Sequence, residues 1–124
     1  MDIERCVLGV DFGTDSVRAL VVNATDGGEI SAGTAPFPRW RDGRFCEPAS
    51  NRFRQHPRDY IEAMERAVRM ALEPLTTDER AAVAGIGVDA TGSTPCAVDA
   101  SGVPLALLPE FADDPDAMFL LWKD

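Results

Sequence analysis

Cys6-Val7-Leu8-Gly9-Val10, then Asp11-Phe12-Gly13-Thr14-Asp15-Ser16, then Val17-Arg18-Ala19-Leu20-Val21-Val22 is the stretch on which the fold turns. A short apolar run leads into a polar turn containing glycine, and a β-branched run interrupted by Arg18 leads out of it. Side chains of this kind fit a pleated, half-buried surface, so the stretch reads as two strands joined by a turn. Asp26-Gly27-Gly28 is a second turn signal, and it predicts a third strand around Glu29 to Ala35. Consecutive strands linked by such tight turns form an antiparallel meander.

Working outward, residues 36 to 56 are rich in proline, glycine and arginine, yet hold Phe37, Trp40, Phe45 and Phe53. They read as a loop-rich excursion ordered by aromatic packing, with a short hairpin around Gly43. Arg39, Arg41, Arg44, Arg52 and Arg54 read as a solvated face, or as a guide for an anionic ligand. The best helix runs from Pro57 to about Leu75. Its expected apolar face is Tyr60, Ile61, Met64, Val68, Ala71, Leu72 and Leu75, at helical spacing. Pro57 suits the first helical position, and Asp59 places an acid in the first turn. Thr76-Thr77-Asp78-Glu79 has the form of a capping box for one further short helix.

Ala82-Val83-Ala84-Gly85-Ile86-Gly87-Val88 is almost continuously apolar, which predicts a buried strand parallel to the first. Asp89 to Thr94 then forms a polar loop at its carboxyl end. Thr94 to Val98 and Val103 to Leu107 are expected to pair as a last hairpin around Asp99-Ala100-Ser101-Gly102. Three strands, a helix, a strand and a hairpin make an α/β fold.

Size and charge narrow the function. With 124 residues the chain is one domain or part of one. It carries 12 Lys+Arg against 21 Asp+Glu, a net charge of -9, which argues against nucleic-acid and anionic-membrane partners. No apolar run approaches the roughly 20 residues of a membrane span. The start, Met1-Asp2-Ile3-Glu4, is acidic where a secretory signal would be basic. Cys6, Cys46 and Cys96 are odd in number and widely spaced, as in a protein with reduced thiols. A cytoplasmic location is expected. The uncapped apolar run before Trp122-Lys123-Asp124 reads as a cut, so an amino-terminal fragment is expected.

The turn at residues 11 to 16 has the chemistry of a phosphate loop. Gly13 allows backbone amides to approach phosphate oxygens, and the hydroxyls of Thr14 and Ser16 can donate to them. Asp15 completes the loop. Asp11, at a strand's end, can hold Mg²⁺ directly or through its waters. The same composition also suits an ordinary hairpin turn. Arg18 is as well explained by an ion pair anchoring the hairpin as by a phosphate. His56, just before the helix-initial proline, reads as a capping or surface residue. Neither a P-loop nor a dinucleotide-binding glycine fingerprint is present.

Asp11-Phe12-Gly13-Thr14 resembles the first phosphate motif of the actin-like ATPase superfamily. Within it, three stretches are similar to carbohydrate kinases of the FGGY family. They are Gly9 to Ala19, Phe53 to Glu62 (Phe-Arg-Gln-His-Pro-Arg-Asp-Tyr-Ile-Glu), and Gly85 to Pro95 together with Trp122-Lys123-Asp124. The resemblance implies a ribonuclease H-like half-domain, truncated, with residues 1–124 forming part of the family's first domain. It implies ATP and Mg²⁺ as cofactors, with nucleotide at Asp11, Gly13, Thr14, Asp15 and Ser16 and the metal at Asp11. It implies a sugar site at Gly92, Ser93, Trp122, Lys123 and Asp124, although a plain strand-to-hairpin turn would also explain residues 89 to 94. The sugar implied is L-ribulose, with xylulose or ribitol as alternatives. The family's base aspartate would lie beyond residue 124, so no catalytic residue is assigned and the chain alone should not turn over. An apolar strand left uncovered would favour self-association. A non-catalytic actin-like nucleotide-binding module is the rival from another class.

Overall fold

The computed structural model describes residues 4–124; Met1, Asp2 and Ile3, most of the acidic start noted above, lie outside the described residues. The described residues divide into two compact units, residues 4–36 with 63–90 and residues 37–62 with 91–124.

The first unit is built on the meander. Strands β1 (Cys6–Phe12), β2 (Ser16–Asn23) and β3 (Glu29–Pro36) pair antiparallel, and β6 (Val83–Ala90) runs parallel to β1, giving the order β3-β2-β1-β6. Alternation decides the faces: Cys6, Leu8 and Val10 of β1 and Val17, Ala19 and Val21 of β2 are buried. They face the later part of helix α2 (Pro57–Leu72), whose Ala63, Ala67 and Ala71 form the buried stripe. Gly33 makes this contact possible. A Cβ there would lie 2.4 Å from the Ala67 carbonyl oxygen and 2.6 Å from the Met70 Cβ, so only glycine lets helix and strand meet. Ser31 Oγ donates to the Ala71 carbonyl from the same strand. Helix α3 (Thr77–Ala81) follows, with the capping box in place: Thr76 Oγ1 accepts from the Glu79 amide and Glu79 Oε1 from the Thr76 amide.

Two expectations change here. Of the expected face Ala71 and Leu75 are buried, but the stripe on α2 that meets the sheet is Ala63, Ala67 and Ala71, and Ile61 is 43% exposed, because the close approach at Gly33 admits only small side chains. β6 is the predicted parallel strand, but it is not buried: Ile86 and Val88 are 65% and 67% exposed. It is the edge of the sheet, and in the described residues nothing covers it.

The second unit has little regular structure. Helix α1 (Pro38–Arg41) is short, β4 (Cys46–Glu47) pairs with β5 (Arg52–Gln55), and β5 pairs with β7 (Phe119–Leu120). The hairpin lies around the 3-10 turn Pro48–Ser50, which ends at Asn51 in the left-handed region, and not around Gly43. Gly43, with φ of 74°, instead follows the end of α1 as a helix-terminating glycine. The expected last hairpin is reduced to one bridge, Val98 with Pro104, closed over an Asp99 side chain that accepts from the Ser101 and Val103 amides. Residues 105 to 117 form 3-10 turns, whose Ala106 and Ala117 bury with Met118 against Phe45, Leu105 and Phe111.

This unit is held by buried polar side chains and stacked rings. Asp59 is fully buried and accepts from the amides of Arg39 and Trp40, at 3.1 Å each, and from Arg39 Nη1 at 2.8 Å. It thus satisfies the first amides of α1, whose N-cap Phe37 has no side chain able to do so. Tyr60 is stacked between Phe37 and Phe119, with centroids 4.8 and 4.3 Å away. His56 is the N-cap of α2: Nδ1 accepts from the Arg58 amide at 3.0 Å, which leaves Nε2 to donate to the Ala112 carbonyl at 2.9 Å. Capping, one of the two roles expected for it, is what it does, from a buried position. Of the arginines expected on a solvated face, Arg39 and Arg54 are instead largely buried in ion pairs.

Candidate functional site

The candidate phosphate loop lies between β1 and β2 of the first unit. Gly13 donates its amide to the Ser16 carbonyl at 2.8 Å, which closes the turn, and a Cβ at Gly13 would press to 3.3 Å from that same oxygen. Glycine therefore has a local reason to stand here, whatever binds. Thr14 and Asp15 form the tip, Asp15 exposed and Thr14 and Ser16 half-buried. Asp11 is exposed at the end of β1, and Arg18 is its cross-strand partner in β2. The Arg18 guanidinium reaches Glu29 of β3 at 3.8 Å, so it ties strands together at the surface.

One neighbour of Asp11 goes beyond the sequence reading. In the parallel register Asp11 lies beside Asp89 of β6, so the two carboxylates stand on the same face of adjacent strands. Asp89, expected in the loop, belongs to the strand, and the loop begins at Thr91. The parallel pairing of Leu8 with Ile86 and Val10 with Val88 is the signal that could have located it.

The expected sugar-side residues lie in the second unit. Gly92 and Ser93 are exposed in a loop closed by Thr94 Oγ1, which donates to the Gly92 carbonyl at 3.0 Å. A Cβ on Gly92 would meet nothing within 4 Å, whereas Ser93 sits at φ of 52°, a left-handed conformation unusual for serine. Trp122 is 56% exposed. Lys123 places Nζ 4.5 Å from the Phe53 ring centroid and 5.6 Å from that of Trp40. Asp124 Oδ2 accepts from the Phe53 amide and from Arg54 Nε, each at 2.8 Å. The Arg54 hydrogen bond, then the Phe53 amide, hold its carboxyl below the usual carboxylate range. Trp122, Lys123 and Asp124 are thus one segment bound to β5, and the Leu120 amide links it to the 91–95 loop by donating to the Pro95 carbonyl at 2.9 Å.

Among the described residues no cluster of three or more His, Cys, Asp or Glu is placed to hold a metal ion. No helix is long and apolar enough to cross a membrane.

Comparison with known proteins gives this geometry a context. No protein-family model matches the chain. A ribulokinase of Vibrio parahaemolyticus is 52% identical over 121 residues, 98% of this chain and 21% of that protein. Ribulokinases of Mycolicibacterium smegmatis and Geobacillus thermodenitrificans are 39% and 37% identical, across 96% and 97% of the chain and 22% of each relative. Among solved structures, a xyloylose kinase from Brucella ovis superposes with a TM-score of 0.72 at 23% identity, covering 97% of this chain and 21% of that one. The chain shares the α/β fold of that sugar kinase and spans about a fifth of the length of the curated relatives it matches. Along nearly all of its length it is a homologue of the ribulokinases.

Proposed function

We propose that the 124 residues are the amino-terminal part of the first domain of a cytoplasmic, ATP-dependent pentulose kinase that phosphorylates L-ribulose. The observation that carries this is the 52% identity to a ribulokinase along 98% of the chain. The turn at 11 to 16 is the phosphate side: Gly13, Thr14, Asp15 and Ser16 approach the phosphates of ATP, and Asp11 holds Mg²⁺. The donor set suits that ion, since Mg²⁺ prefers hard oxygens and is commonly held by one or two carboxylates with substrate phosphates and waters. Asp11 with Asp89 beside it supplies such carboxylates and no softer ligand. When bound, Mg²⁺ neutralises charge on the transferring phosphoryl group. The loop at Gly92 and Ser93, with Trp122 and Lys123, forms the sugar side. No described residue is assigned as the base, so the chain alone has no turnover. Its uncovered edge strand, with Ile86 and Val88 exposed, favours self-association despite the charge of -9.

The test is a chimera in which residues 1–124 replace the matching segment of the Vibrio parahaemolyticus ribulokinase. It should phosphorylate L-ribulose faster than D-xylulose or ribitol. Asp11→Asn should lower kcat at least about 100-fold with an unchanged melting temperature, the loss expected when a metal-organised interaction of several kcal/mol is removed. A folded chimera inactive on every pentulose and pentitol would refute the function. Normal turnover in the Asp11 variant would return the loop to the status of a hairpin turn.

A further inference from the structure

Arg54 stands at the junction of three segments of the second unit. Its Nε donates to Asp124 Oδ2 at 2.8 Å, and its Nη1 donates to the Pro115 carbonyl at 2.8 Å and to Asp116 Oδ1 at 3.0 Å. Only 12% of the Arg54 side chain is exposed, so these bonds are made with most of the guanidinium removed from water. The next strand position adds to them: the Phe53 amide donates to the same Asp124 oxygen, and the Phe53 carbonyl accepts from the Leu121 amide at 3.1 Å. Residues 121 to 124 are therefore fixed to β5 at both ends. Leu121, at one end, is 2% exposed; Asp124, at the other, is held by Arg54. Between these anchors Trp122 is 56% exposed, next to a Lys123 drawn over Phe53 and Trp40. A large indole exposed on so short and doubly tied a segment is set to present an apolar surface in one orientation, at little cost in ordering when a ligand arrives.

We infer that Arg54 is a positioning residue for the sugar side of the site: it acts through Asp124 to fix the orientation of Trp122, and Asp124 serves as this anchor and not as a sugar ligand. The inference rests on the proposed function for the identity of the ligand. The geometry of the anchor does not depend on it. Arginine is needed because its fork serves a carboxylate and a carbonyl in different directions at once, which a lysine ammonium reproduces poorly.

Two arms test it. In the chimera, Arg54→Met should raise the KM for L-ribulose about tenfold, while the KM for ATP and kcat at saturating sugar stay within about twofold. Asp124→Ala should do the same, and the double variant should be no worse than either single one, because both remove one link. Asp124→Asn keeps an acceptor for Phe53 and Arg54 and should recover most of the affinity. Additive effects in the double variant, an equal rise in the KM for ATP, or a lowered melting temperature with unchanged sugar KM would each overturn the inference. The second arm needs no turnover. In the 124-residue chain carrying Trp40→Phe, Trp122 is the remaining tryptophan, and Arg54→Met should change its acrylamide quenching constant at least twofold. Unchanged quenching would overturn the positioning role even if the chimera is active. A chimera inactive on all sugars, with altered quenching, would sink the proposed substrate and leave the anchor standing. If Arg54→Met does not fold, Arg54→Lys is read in both arms, with smaller shifts in the same directions.

Discussion

The two compact units achieve order by different means. In residues 4–36 with 63–90, a four-stranded backbone ladder does the work, and the buried side chains are mostly apolar (Cys6, Leu8, Val10, Val17, Ala19, Ala67 and Ala71 among them), with Asn23 the buried polar residue. In residues 37–62 with 91–124 the strands have two to four residues, and the buried side chains include Gln55, His56 and Asp59. The first kind of unit depends on many equivalent hydrogen bonds and tolerates the loss of any one. The second depends on a few polar side chains, each satisfying several groups. Single substitutions should therefore be felt most in the second unit, except where the first brings two backbones into contact.

Asp59→Ala is the severest break of that comparison. It would leave the first amides of α1 without their acceptor and the Arg39 guanidinium with Glu62 as its remaining carboxylate, at a cost of about 3 kcal/mol. Chemical denaturation of the purified chain would measure it. A loss under about 1 kcal/mol would mean that water replaces the carboxylate, and the second unit would be less dependent on single side chains than argued.

Gly33→Ala tests the exception in the first unit. The added methyl would press on the Ala67 carbonyl and the Met70 Cβ, and neither is the end of a flexible side chain. A loss of about 1–3 kcal/mol is expected as α2 is pushed from β3. A neutral result in the same denaturation assay would show that the helix slides without penalty.

These two residues also mark how far the sequence could be read. The meander, the parallel strand and the capping box were legible because each is announced locally, by alternation, by Asp26-Gly27-Gly28, or by Thr76 and Glu79 three residues apart. The contact face of α2 was legible only at Ala71: hydrophobicity favours Ile61 and Met64 over Ala63 and Ala67, and the choice is made by Gly33, thirty and more positions from those alanines. Nor was the hairpin at Pro48–Ser50, where Asn51 takes the left-handed turn position expected of Gly43. In the candidate site the phosphate loop could be recognised by composition. Asp89 beside Asp11 required the parallel register, and Arg54 with Asp124 joins positions seventy residues apart, so no local pattern announces either.

His56 gives a smaller effect with a definite sign. Burial, opposed in part by the hydrogen bond to Ala112, lowers its pKa below the ordinary 6.5, so the folded chain prefers the neutral ring. Below pH 6.5 the unfolded chain takes up the proton first, so stability is full above that pH and falls as pH drops through the folded pKa. His56→Asn retains a cap on α2 and should flatten this part of the stability profile between pH 7 and 5. An equal slope in the variant would assign the acid sensitivity to other groups.

The smallest expected change in stability is at Gly92, the counterpart of Gly33 in the second unit. Both are glycines with negative or extended φ, yet a Cβ at Gly92 enters open space where one at Gly33 collides. Glycine at 92 is thus not required by the fold, and Gly92→Arg should change the unfolding free energy by less than about 0.5 kcal/mol. If the loop faces the sugar, the same substitution in the chimera should raise the KM for L-ribulose about tenfold and leave the KM for ATP unchanged, because only one ligand loses room. The pairing of an intact fold with a selective KM effect is what separates a site from a turn. Equal rises in both KM values would move the loop away from the sugar, and an unchanged KM for L-ribulose would leave residues 91 to 94 as a simple connection between β6 and the 3-10 turns.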